Sequence, residues 1–176
     1  DESPSGLSSD ITLYAVTAGA STDLAWAVGS QGTIVRTQDR GRSWQRQTPP
    51  STLGDLSDVC LRGVYFIDNE RGWAVGDQGV LLRTVNYGNI WTTMAHPLYS
   101  GSGPPQSWIS LRAVMFADDV LISNNLDATF TGLAVGDDGT ILTSSNGGST
   151  WIQTQRCTRN SLEDVAMDRS GSAWIV

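Results

Sequence analysis

Short apolar segments that alternate with glycine-containing turns cover most of this 176-residue chain. One pattern occurs three times in full: AWAVGSQGTIVRTQDRGRSW begins at Ala25, GWAVGDQGVLLRTVNYGNIW at Gly72 and GLAVGDDGTILTSSNGGSTW at Gly132. A fourth copy begins at Ala173. A unit that recurs about every 50 residues indicates supersecondary units stacked around a shared core.

Each unit contains the signals of consecutive β-strands. A Leu-x-x-Val segment opens the unit and predicts the first strand, which starts near Leu13, Leu61, Leu111 and Leu162. The second strand ends at a Gly-x-x-Gly turn, such as Gly76 to Gly79, and a third strand follows it. We expect glycine in these turns because tight hairpins place residues at positive φ.

A second loop motif, Ser/Thr-x-Asp/Asn-x-Gly-x-Ser/Thr-Trp, follows each third strand and resembles the Asp-box hairpin of several β-propeller families. Its Asp or Asn predicts hydrogen bonds to the loop's own amides, its Gly takes the strained turn position, and its Trp is expected to bury between sheets. Ile90 departs from the motif. The structural residues are Asp39, Gly41 and Trp44, then Asn86, Gly88 and Trp91, then Asn146, Gly148 and Trp151.

A fourth strand after each Trp completes four antiparallel strands per unit, which predicts an all-β fold of propeller blades. Three complete blades and half of a fourth are expected, too few to close a ring, so the sequence predicts part of a single propeller domain within a longer chain. The expected blades span about 11–50, 59–98, 109–157 and 161–176.

Blade three carries an insertion between its first two strands. A polar loop on a rigid scaffold is a candidate binding element, and a tolerated surface insertion or weak cation loop is the alternative. The loop candidates are Asp118, Asp119, Asn124, Asn125 and Asp127.

Charge and composition exclude some partner classes. With 18 acidic and 11 basic residues the formal charge is -7, which argues against general binding of nucleic acid or anionic membranes. No apolar run is long enough to span a bilayer. The start at Asp1, without Met and followed by small polar residues, predicts a mature end left by removal of an export signal.

The cysteines and the histidine predict no metal site and no cofactor. Cys60 and Cys157 lack metal-ligand spacing, and His96 is the only histidine. A whole unit separates the two cysteines, so a disulfide between them is not expected.

The GWAVG-x-x-G block with its Asp-box Trp resembles the repeat of the photosystem II stability and assembly factor family of cyanobacteria and chloroplasts, and of its bacterial relatives. The resemblance covers the three complete blades. It implies a seven-bladed, non-enzymatic propeller outside the cytoplasm that holds a membrane-protein partner during assembly. Asn86 and Asn146 stand where the motif usually has Asp, and Asn accepts the same local bonds.

Sialidases and some glycan-cleaving propellers also carry Asp-boxes, and a resemblance to them would imply inner-strand arginines that clamp a carboxylate. Arg62 and Arg112 occupy such positions here, with Tyr65 nearby, and predict a patch that binds an anion or a partner. The alternative is that these side chains line a solvated channel and are satisfied by neighbouring carbonyls or Glu163. Arg36 and Arg83, which end third strands, are either partner-binding or paired with an adjacent blade.

No carboxylate pair or nucleophile elbow supports catalysis. The sequence therefore predicts a non-catalytic, extracytoplasmic scaffold, secreted or periplasmic, for protein binding or assembly of a larger complex. A fragment of a sialidase-like or other carbohydrate-active propeller, with a glycan ligand, is the alternative.

Overall fold

The computed structural model describes residues 10–98, 109–117, 130–156, 158–168 and 171–176. Three four-stranded antiparallel sheets follow one another along the chain, and a two-stranded sheet comes last. In each four-stranded sheet, strand order in space equals order in sequence. These sheets confirm the predicted three blades and half of a fourth.

The strands match the repeat. Blade one contains β1 (Leu13–Ala18), β2 (Ala25–Gly29), β3 (Ile34–Thr37) and β4 (Gln45–Gln47). Blade two contains β5 (Leu61–Phe66), β6 (Gly72–Gly76), β7 (Leu81–Thr84) and β8 (Thr92–Thr93). Blade three contains β9 (Leu111–Phe116), β10 (Gly132–Gly136), β11 (Thr140–Ser144) and β12 (Ile152–Gln153), and the half blade contains β13 (Val165–Met167) and β14 (Ala173–Ile175).

A stack of three aromatic rings joins blade one to blade two. Trp26 of β2 stacks on Phe66 of β5 with centroids 3.6 Å apart, and Trp91 meets Phe66 edge-on at 5.9 Å. Trp73, Phe116 and Trp151 repeat this arrangement between blades two and three. Offset and edge-on contacts add to the large apolar area that such rings bury. The stacks therefore hold successive blades together.

The phenylalanine of each stack lies across a glycine on the neighbouring strand. Phe66 pairs with Gly72, where an added Cβ would lie 2.5 Å from the ring. Phe116 and Gly132 repeat the pair, and blade one has Ala18 opposite Ala25. The glycine is thus required only where an aromatic ring covers it.

The Gly-x-x-Gly turns differ in part from the expectation. The second glycine has positive φ, +74° at Gly79, together with the residue before it, Gln78 at 58°. Gly76, the first glycine, has extended backbone at φ -169°. It is glycine because an added Cβ would lie 2.2 Å from the carbonyl oxygen of Cys60. Close approach, and not positive φ, explains the first position.

The three Asp-box loops have the predicted hydrogen bonds. Asp39 Oδ1 accepts the Ser43 amide at 2.8 Å, and Asn86 and Asn146 accept the corresponding amides at 2.9 Å. Gly41, Gly88 and Gly148 have φ of 84°, 77° and 71°. The Trp91 and Trp151 side chains are buried between blades, as predicted, whereas Trp44 is only half-buried. The boxes are therefore structural elements that close each blade.

Candidate partner-binding site

The predicted arginines lie on the first strands of blades two and three, which pack side by side. Arg62 Nε and Nη2 both donate to the carboxylate of Asp77, the Nη2 bond being 3.2 Å long. Arg112 Nε donates to Asp137 Oδ1 at 2.7 Å. Both arginines are about one-third exposed, and each is held by the turn acid of its own blade.

The motifs of the sequence do not by themselves point to these turn acids. Each follows the first glycine of a Gly-x-x-Gly turn and also caps the start of the first strand, because Asp77 accepts the Cys60 amide and Asp137 accepts the Ser110 amide. Ser30 does the same in blade one, where Tyr14 replaces the arginine. Blade one lacks both the arginine and the aspartate, and this paired replacement is the sequence signal that links the two positions.

The ion pairs shift the ionisation of both partners. The hydrogen bond to Asp77 raises the pKa of Arg62, and the bond to Asp137 does the same for Arg112. Burial alone would raise the pKa of Asp77, but the hydrogen bond and charge of Arg62 outweigh it, and the pKa lies below its ordinary value. These groups therefore stay charged at neutral pH.

Arg112 makes a second ion pair that differs from the first. Its Nη1 donates to Glu163 Oε2 at 2.8 Å, across the boundary between blade three and the half blade. The Glu163 side chain is 60% exposed, against 26% for Asp137. We call Arg62, Asp77, Arg112, Asp137 and Glu163 the inner-strand cluster; with two cations and three carboxylates it has no excess of positive charge.

Of the two nearby tyrosines, Tyr14 contacts this cluster and Tyr65 packs between blades. The guanidinium of Arg62 lies 5.8 Å from the centroid of the Tyr14 ring, a cation–π arrangement. Cys60 Sγ lies 3.9 Å from the Tyr14 hydroxyl, and this contact raises the tyrosine pKa. Tyr65 lies instead in the interface between blades two and three, with its ring 6.3 Å from that of Phe116.

Arg36 and Arg83 each point into the next blade. Arg36 is only 7% exposed, and its Nη1 donates to the Tyr87 carbonyl at 2.8 Å and to Asn89 Oδ1 at 3.0 Å. Arg83 Nη1 donates to Ser149 Oγ at 3.2 Å. Burial lowers the pKa of both arginines. Each side chain therefore reaches the Asp-box loop of the following blade and links the two blades by hydrogen bonds.

The predicted insertion residues Asp118, Asp119, Asn124, Asn125 and Asp127 lie outside the described residues, as does Cys157. Cys60 is a free thiol. In the part of the chain that the structure describes, no group of three or more His, Cys, Asp or Glu side chains could hold a metal ion. Across the same described residues, no helix has the length and apolar character needed to cross a membrane.

The fold and the boxes define an Asp-box β-propeller. The family model described as photosynthesis system II assembly factor YCF48 matches residues 6–100, more than half of the chain. The chain therefore belongs to the YCF48 family of photosystem II assembly factors. A search of curated proteins found no match.

Solved structures show the same fold at low sequence identity. A structure titled YCF48 bound to D1 peptide has a TM-score of 0.67 and 21% identity, over 94% of this chain and 46% of its own. YCF48 from Cyanidioschyzon merolae has 0.68 and 20%, over 97% and 51%. A GH74 enzyme from Niastella koreensis has 0.66 and 14%, over 93% and 25%. The chain thus spans about half the length of the two YCF48 structures.

Proposed function

We propose that this chain is part of an extracytoplasmic, non-catalytic propeller that binds a protein partner during assembly of a larger membrane complex. The observation that carries the proposal is the match to the assembly-factor family over blades one and two. A YCF48 structure titled as bound to D1 peptide supports a peptide segment of the partner as the ligand. Rigid blades that present loops and strand ends on one face suit this role.

In this proposal the inner-strand cluster takes a carboxylate of the partner at Arg112. The pair between Arg112 and Glu163 is the exchangeable one, because Glu163 is 60% exposed. Exposed ion pairs contribute only about 0–1 kcal/mol, so replacing this glutamate costs little. Asp137 stays in place because it also caps a strand. The arriving carboxylate then gains a charge-assisted, geometrically fixed contact.

Two substitutions with opposite expected effects test this mechanism. Glu163→Gln removes the internal competitor and should increase recovery of the partner, whereas Arg112→Gln should abolish it. The full-length protein and both variants would be used to recover proteins from detergent-solubilised membranes of the source cells, with quantification by mass spectrometry. Equal recovery by all three proteins would rule out the cluster as the contact, and absence of any membrane-complex subunit would rule out the assembly role.

The proposed location has its own measurement. The full-length protein should resist protease in intact cells or organelles whose cytoplasmic face is accessible, and should become sensitive once the extracytoplasmic compartment is opened. Digestion before opening would contradict the location without bearing on the partner.

Similarity to GH74 enzymes favours a carbohydrate-active propeller as the second candidate. That candidate predicts release of new reducing ends when the full-length protein is incubated with soluble polysaccharides. If the Arg112→Gln variant still releases reducing ends, catalysis lies elsewhere in the propeller. If the wild-type protein releases none, this candidate is ruled out.

A further inference from the structure

The second Asp-box differs from the other two at its exposed positions. Val85, Tyr87 and Ile90 are 55%, 38% and 63% exposed. The corresponding positions are polar in box one and small or polar in box three: Gln38, Arg40 and Ser43, then Ser145, Gly147 and Thr150. The three loops share their internal hydrogen bonds, so the fold itself does not demand apolar side chains here.

Side chains of blade one hold the backbone of this loop in place. The Tyr87 carbonyl accepts hydrogen bonds from Trp26 Nε1 at 3.1 Å and from Arg36 Nη1 at 2.8 Å, both from blade one. Tyr87 has φ of 63°, and the matching positions of the other boxes, Arg40 and Gly147, have the same value, so the backbone of this position is common to all three loops. The chain therefore holds an exposed aromatic residue on a backbone that hydrogen bonds from blade one fix in place.

The charge next to the loop is negative. The Tyr87 hydroxyl donates to Glu70 Oε1 at 2.8 Å, and Glu70 is exposed. The neighbouring cation, Arg71, is paired with Asp68 at 2.7 Å, and Arg36 is buried. A ligand at this surface therefore meets apolar side chains beside a carboxylate, on a protein of formal charge -7.

An open groove of about 480 Å³ adjoins Ile90, between the outer ends of blades one and two. Thr52 and Thr93 approach within 3.4 Å across it. Its lining includes Pro49, Pro50 and Trp91 and carries no charged side chain. The groove therefore offers an uncharged, partly apolar surface next to Ile90.

We propose that the second Asp-box loop and this groove form a second binding surface for an extended peptide segment of a partner protein, with apolar side chains and a Lys or Arg facing Glu70. The apolar side chains contact Val85, Tyr87 and Ile90, and the basic group is complementary to the carboxylate. The exposed aromatic and branched side chains on a fixed backbone lose little conformational freedom on binding. This surface is separate from the inner-strand cluster and selects the opposite charge.

The test uses a substitution set that the chain already tolerates elsewhere. The triple variant V85S/Y87G/I90T copies box three, and Q38S/R40G/S43T makes the same kind of change in box one as a matched control. A phage-displayed library of random linear peptides would be selected on the full-length wild-type protein. We expect enriched peptides that combine apolar residues with Lys or Arg, and fluorescence anisotropy should show at least a tenfold higher Kd for the box-two variant and an unchanged Kd for the control.

Four further measurements separate binding from a structural role. The box-two variant should have an equal or higher melting temperature, because Gly replaces Tyr87 at a position of positive φ. Ile90→Thr alone should weaken binding several-fold, and Glu70→Gln should weaken it and reduce its salt dependence. Arg112→Gln should leave these peptides bound. Failure to enrich peptides, equal Kd for wild type and the box-two variant, or a clear loss of melting temperature in that variant would each overturn the proposal.

Discussion

The ring of Phe66 over Gly72 makes a quantitative prediction about how blades one and two are held together. Phe66→Ala removes a ring that stacks on Trp26 at 3.6 Å, and it should lower the free energy of unfolding by about 3–5 kcal/mol. Gly72→Ala places a Cβ about 2.5 Å from the same ring, and overpacking of this kind costs about 1–3 kcal/mol. Once the ring is absent, that clash is absent too.

The double variant F66A/G72A should therefore be no less stable than F66A alone. The expected coupling energy is about 1–3 kcal/mol, well above the roughly 0.5 kcal/mol within which independent changes add. Blade one already carries the alanine pair, at Ala18 and Ala25, so the backbone accommodates it. Urea unfolding of all four proteins gives the cycle, and additive losses would refute the reasoning. The same cycle at Phe116 and Gly132 should give a coupling of similar size.

Other predictions concern single side chains. Asp39 has a pKa of about 2, chiefly because the Ser43 hydroxyl donates to it, so its stabilising contribution is present above its ordinary pKa and is lost as pH falls toward 2. Asp39→Asn should reduce the acid dependence of the melting temperature, to which Asp77 and Asp137 also contribute, and an unchanged dependence would contradict this. Burial lowers the pKa of His96, whose Nε2 contacts the Gly79 carbonyl at 2.7 Å, so the unfolded chain takes up the proton first and stability should decrease as pH falls below about 6.5. His96 is the only histidine, and His96→Gln should abolish that slope in urea midpoints measured from pH 7.5 to 5.5; a slope that persists would assign it elsewhere. Arg36→Met removes a hydrogen-bond donor from the Tyr87 carbonyl and should lower the free energy of unfolding, measured in urea, by about 1–3 kcal/mol. An unchanged free energy of unfolding would show that this contact does not stabilise the packing of the two blades.

The repeat makes most of the fold predictable. Glycine turns and box residues act through local hydrogen bonds, so the sequence of one loop determines its shape, as at Asp39 and Gly148. The burial of Trp91, by comparison, depends on blade one beside it, and Trp44 is only half-buried although its loop is the same. A local motif predicts the hairpin but not what packs on it.

The candidate site was less predictable because it depends on side-chain partners. The arginine pattern identified Arg62 and Arg112, but their carboxylate partners follow the second strand and reach them only through the sheet register. Arg36 and Arg83 also recur at matching positions, and only the packing of the blades shows that each reaches the Asp-box loop of the following blade. Spacing alone does not distinguish an arginine that is available from one that is already engaged.

The two proposed surfaces differ in how tightly structure constrains them. In the inner-strand cluster the turn acid both holds an arginine and caps a strand, so a substitution of Asp137 would disturb the fold together with any binding. In the second box the structural bonds come from Asn86 and Gly88, while Val85 and Ile90 contribute exposed side chains. Since box one and box three keep the hairpin without apolar residues, their presence in box two is not a consequence of folding. Variation at those positions therefore reports on binding more directly than variation in the cluster.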